Sequence, residues 1–124
     1  MKKICTDLEQ SKKLLELGID IYTADMYWKN GVSDKYIQCF TPFVSSGTDI
    51  DYDYDIPAWS LTVLMKLMPK VSTDGDEIYE SYPIMEHDDE GFAVSSPIYN
   101  TSYYSEPIDA AFEMVCWLKE NGKI

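Results

Sequence analysis

Between Pro57 and Pro69 the chain reads Ala58-Trp59-Ser60-Leu61-Thr62-Val63-Leu64-Met65-Lys66-Leu67-Met68, and this run constrains the fold more than any other segment. Proline suits the first turn of a helix and ends one at the far side. At helical spacing Ala58, Leu61, Leu64, Met65 and Met68 share a face. Trp59, Val63 and Leu67 widen it, leaving Thr62 and Lys66 as a narrow polar edge. A helix apolar over most of its circumference belongs at the centre of a core, so other elements must cover it.

Two further helices are expected. Thr6 with Glu9 three residues later fits a capping box, and Leu8, Leu14, Leu15 and Leu17 supply a stripe before Gly18, which predicts a helix over 7–17. Another opens near Ser105-Glu106-Pro107 and closes at Asn121-Gly122, with Lys119 in its last turn. Ile108, Ala111, Phe112, Val115 and Leu118 form its expected buried face, and Asp109, Glu113 and Glu120 its wet one.

Between the helices the period changes. Residues 77–82 and 91–96 read as a hairpin flanking an acidic loop, Glu86-His87-Asp88-Asp89-Glu90, with 98–104 and 36–40 as further strands. The expected class is α+β: three main helices packed on a small antiparallel β-sheet, as a single pair of layers. No linker, repeat or low-complexity block divides the 124 residues, so 1–124 is expected to be one α+β domain.

All ten basic residues are Lys, against 22 acids, for a formal charge of −12. The acidity is regional. Residues 1–35 are balanced, whereas 36–118 carry fifteen acids and two Lys, and no Lys or Arg occurs from Val71 to Leu118. Direct nucleic-acid binding is therefore not expected, and without Arg there are no bidentate phosphate forks. An acidic surface also keeps a small protein in solution without any further role. No apolar core follows Met1-Lys2-Lys3 and the apolar runs are short, so neither signal peptide nor membrane span is expected, and the expected compartment is the cytoplasm.

The segment Asp49-Ile50-Asp51-Tyr52-Asp53-Tyr54-Asp55-Ile56 alternates for eight residues, which in an extended chain puts Asp49, Asp51, Asp53 and Asp55 on one side. It is not an EF-hand loop, since Tyr54 stands where glycine is needed and Ser60 where glutamate is needed. Same-side residues of a strand recur at roughly 6.6 Å, against about 3.4 Å per phosphate along one DNA strand. Mimicry of nucleic acid would thus need other acids beside the ladder. An edge strand whose charges discourage aggregation explains the row more simply.

Little points to catalysis. His87, the single histidine, has no metal-motif spacing, and the chain lacks a nucleophile elbow, a phosphate loop and a dinucleotide fingerprint. Cys5, Cys39 and Cys116 form no CxxC pair and are expected as reduced, mostly packed thiols. Only Cys5, beside the first helix N-terminus, has an electrostatic reason for a lowered pKa, and even there a small packing residue is the expected role. No catalytic residue, metal ligand or cofactor is assigned. Ten Tyr and three Trp exceed what so small a core can bury, and such rings are enriched at interfaces. The candidate interaction surface comprises Asp49, Asp51, Asp53 and Asp55 with Tyr27, Trp28, Tyr103 and Tyr104.

Four blocks carry a resemblance: residues 5–12 running into 14–18, Thr23-Ala24-Asp25-Met26-Tyr27, Ile56-Pro57-Ala58-Trp59-Ser60-Leu61, and Pro107-Ile108-Asp109-Ala110-Ala111 with Trp117-Leu118. Together they resemble small uncharacterised proteins encoded in prophages and mobile elements of gut bacteria. The resemblance brings no activity or site residue. It implies a setting in which short proteins bind a host or phage component. The expected function is accordingly non-enzymatic action through protein contacts, with a host or phage protein as partner and a homodimer as a variant. An acidic nucleic-acid mimic is the alternative, and a small metal-dependent enzyme the third reading.

Overall fold

The computed structural model describes residues 3–31, 39–44, 55–75 and 77–124. Helix α1 spans Leu8–Glu16. Its cap lies one residue later than expected: Asp7 accepts from the Gln10 backbone N–H, and the Gln10 side chain accepts from the Asp7 N–H. The shift releases Thr6 for another task. Its N–H donates to the Trp59 carbonyl at 2.9 Å, and its fully buried Oγ1 accepts from the Trp59 N–H at 3.1 Å and pairs with Ser11 Oγ at 2.8 Å.

That junction explains why the central helix begins late. Ile56–Ala58 is not its first turn but strand β3, after β1 (Met26–Gly31) and β2 (Cys39–Val44). The antiparallel order is β2-β1-β3, with Tyr27 opposite both Phe43 and Pro57, and Trp28 opposite Pro42. Both prolines therefore lie on edge strands, where a missing N–H interrupts no inner ladder. With Trp59 pinned to Thr6, helix α2 starts after Ser60 and runs Leu61–Lys66. Ser60 caps Val63 and is itself held by Asp25, which accepts from both its N–H and its hydroxyl. Trp59 still enters the core, fully buried, with its indole N–H on Thr23 Oγ1 at 2.9 Å.

Helix α3, Pro107–Glu120, matches its expected limits, with Pro107 at the N-terminus and Asn121 as C-cap. It packs on α2 and on the last strand, and Ile108, Ala111, Met114, Val115 and Leu118 are buried. Phe112 is only partly buried. The face read as wet is engaged: Lys3 Nζ lies 2.7 Å from Asp109 and 3.0 Å from Asp7, tying the N-terminal segment to α3, while Glu113 collects tyrosine hydroxyls.

The class is α+β, but the single sheet is replaced by three small antiparallel ones. Besides the three-stranded sheet there are β4 (Val71–Ser72) with β5 (Glu80–Ser81), and β6 (Ile84–Asp88) with β7 (Gly91–Ser95). These strands are short and each pairs with a chain neighbour, so no ladder links one pair to the next. The expected hairpin has moved accordingly. Glu86-His87-Asp88 are strand residues rather than loop, residues 80–81 pair with 71–72, and the segment expected as a strand at 98–104 contributes only the bridges Ser95 to Asn100 and Phe92 to Tyr104. Of the strand expected at 36–40, residues 36–38 lie outside the described residues.

Candidate interaction surface

Of the residues singled out in the sequence, Asp55, Tyr27, Trp28, Tyr103 and Tyr104 are among the described residues. Asp49, Asp51 and Asp53 lie outside the described residues. Asp55, expected on a wet face, is buried, because the chain there turns inward to enter β3 against β1. Asp55 is thus not on a solvated face. Tyr27 is buried because β1 is the central strand, and Trp28 packs on Cys5, Met26 and Ala58 with its indole N–H donating to the Thr6 carbonyl at 2.8 Å. Tyr104 is held by Glu113. Tyr103 alone of the aromatic candidates is exposed, and its phenol pKa is raised by a hydrogen bond to Asp88.

Four of the exposed large apolar side chains lie in the stretch 77–90, where a hairpin and loop are expected. Ile78 is 74% exposed, Tyr79 65%, Tyr82 57% and Ile84 60%, and they occur within seven residues of chain. A stretch of that length spans at most roughly 25 Å fully extended, so the four side chains belong to one region. Around them stand Glu77, Glu80, Glu86, Asp88, Asp89 and Glu90, all exposed, with no Lys or Arg in the stretch. Pro83 is buried and anchors the segment, and Lys70, reaching in from before β4, sits 5.6 Å from the Tyr82 ring centre. One signal for this surface was legible: Ile78 and Tyr79 are adjacent, and consecutive residues of a strand point to opposite faces, so one sheet face cannot bury both.

The β6–β7 hairpin that carries Ile84 and four of these six acids is fixed by three features. Asp88 accepts from the Glu90 N–H at 2.8 Å, setting the turn. Gly91 follows at φ +125°, a conformation L side chains rarely adopt, and its missing Cβ makes room for the Tyr104 carbonyl. His87 stacks on Phe92, directly opposite in register, with ring centres 4.3 Å apart and planes 12° off parallel.

The ladder also shows which backbone groups face outward. Phe92 exchanges hydrogen bonds with Tyr104, and Val94 accepts from the Thr101 N–H, so these two strand residues point their polar groups away from β6. Gly91, Ala93 and Ser95 must then bond Asp88, Glu86 and Ile84, their partners in register. The N–H and C=O groups of Met85 and His87 consequently point off the outer edge of β6. No other described segment pairs with that edge.

Chemistry of other kinds finds little to build on. Among the described residues no group of three or more His, Cys, Asp or Glu is placed to hold a metal ion. Cys5 is buried, as expected of a packing residue. Burial, with the charges of Asp25 and Asp7 adding to it, pushes its thiol up to about 11, so the helix terminus does not activate it. Burial likewise pushes Cys116 up to about 11. No described helix is long and apolar enough to cross a membrane. The chain matches no family model, no curated protein and no solved structure in the comparisons made.

Proposed function

We propose that this chain is a binding protein, of the kind phages and mobile elements use against or alongside host components, and that residues 77–90 form its contact face. The observation that carries this reading is the conjunction of four exposed large apolar side chains with six acids and no cation in one stretch. An isolated exposed isoleucine is ordinary, but a group of large apolar side chains in a predominantly acidic surround is the composition of an interaction site. The partner it suits is a protein with apolar side chains framed by Lys or Arg, because opposite potentials steer encounter and fix orientation. Catalysis is not part of this reading.

The test uses the purified chain as bait in host-cell lysate, beside two variants. One carries Tyr79→Ser, Tyr82→Ser and Ile84→Ser. The other carries Ile4→Ser, an exposed apolar residue near the N-terminus, more than seventy residues from the stretch in sequence. The reading expects a partner retained by wild type and Ile4→Ser and lost by the triple variant while its circular dichroism is unchanged. A partner held equally by all three would overturn the assignment of the face.

A further inference from the structure

We infer that the outer edge of β6 takes up an extended, basic segment of the partner as an added antiparallel strand, with a Lys or Arg of that segment opposite Glu86. The inference rests on the proposed contact face and specifies how that face binds. Met85 and His87 direct their N–H and C=O groups off the edge, so two residues of an incoming strand can each exchange a pair of backbone hydrogen bonds with them. Glu86 lies between these two positions. The residue facing it belongs to a non-hydrogen-bonded pair, in which opposed Cα atoms approach to about 4.5 Å and side chains meet most closely. Ile84, Glu86 and Asp88 share one face of the strand, and all three are exposed. Glu86 and Asp88, two acids on one face of the strand, call for a segment with basic residues at alternate positions.

The same charges select against a second copy of this chain. Antiparallel self-pairing centred on Glu86 would set Glu86 against itself, and pairing centred on His87 would set Glu86 against Asp88. Like charges directly opposite destabilise a ladder, and acids on an edge strand commonly serve to refuse such pairing. A basic strand converts both repulsions into attractions.

The probe is an acetylated, amidated peptide alternating Lys and Val, titrated into the intact chain and followed by fluorescence anisotropy and by amide hydrogen exchange. Binding should slow exchange specifically at Met85 and His87. Methylating the backbone nitrogens of the valines, which removes donors while keeping every charge, should weaken binding by about tenfold or more. Glu86→Lys should abolish binding of the Lys peptide and confer binding of the corresponding Glu peptide. If the methylated peptide binds as well as its parent, or if the two amides gain no protection on saturation, strand addition is wrong even where the contact face itself survives the bait experiment. If the chain dimerises through β6 in sedimentation, with Glu86→Lys leaving the dimer intact, the selection argument is wrong. Failure of the peptide to bind at all likewise counts against the inference, whereas the contact-face reading falls only with the triple variant.

Discussion

The Tyr104 hydroxyl donates to Glu113 Oε1 at 2.7 Å, bringing the segment before α3 back onto that helix. The same carboxylate accepts from the Tyr99 hydroxyl at 2.6 Å and the Ser102 N–H at 3.2 Å, so one side chain gathers the whole 99–104 connection. The bond to Glu113, followed by burial and the negative charge of Glu113, pushes the Tyr104 phenol up to about 12 from an ordinary value of 10. Because the folded state holds this proton more tightly than the unfolded chain does, the associated stability is fully present below pH 10 and is lost as pH rises through about 12. Glu113→Gln should bring the Tyr104 transition back toward its ordinary range in ultraviolet titration. It should also cost about 1–3 kcal/mol in urea denaturation, since hydrogen bonds to a charged acceptor are among the stronger ones.

Gly91 offers a clean comparison. A Cβ there would lie 2.4 Å from the Tyr104 carbonyl oxygen, on backbone that cannot swing aside, whereas Gly75 has a similar φ of +128° and nothing within 4 Å. Both Gly→Ala changes pay for the left-handed conformation, roughly 1–3 kcal/mol. Only Gly91→Ala adds the collision, so chemical denaturation should rank it clearly below Gly75→Ala; equal losses would show that the Gly91–Tyr104 approach is not essential.

The buried Thr6–Ser11 hydroxyl pair should behave as a coupled unit. Thr6→Val leaves the Trp59 N–H and Ser11 without their partner and should cost about 1–3 kcal/mol. Ser11→Ala should cost less, and the double variant should fall short of the sum by about 0.5–3 kcal/mol. A double-mutant cycle by urea denaturation measures this directly, and strict additivity would contradict the network.

In a Cys39→Ser background, Cys5 and Cys116 should react with a thiol reagent at pH 8 only on unfolding. Both are buried and both thiols are raised to about 11, so little thiolate is present and less is accessible. Stopped-flow labelling with and without denaturant separates the cases; rapid native labelling of either residue would refute the assignment.

The elements most legible in the sequence were those whose signals were local and uncontested. Pro107, the alternating burial along α3 and the Asn121-Gly122 ending all belong to one helix and agree with one another. At Pro57 two local readings competed, a helix N-terminus and an edge strand, and long-range pairing with Met26–Trp28 decided for the strand. The Thr6 to Asp7 shift of the first cap has the same origin, since Thr6 is claimed by Trp59, more than fifty residues away. The burial of Tyr27 and Trp28 was not legible, because in sequence they look as available as Tyr79 and Tyr82. Only topology, which makes β1 the central strand of its sheet and leaves Tyr79 and Tyr82 outside any strand, tells them apart.

The central claim is that residues 77–90 form the contact face, and hydrogen-exchange mass spectrometry of the chain with its captured partner tests it most directly. Protection is predicted across 77–90, including the peptide that carries Met85 and His87, with α1 and the buried face of α3 unchanged. Protection confined to α1, or to the β1–β3 sheet, with 77–90 exchanging as in the free chain, would contradict it.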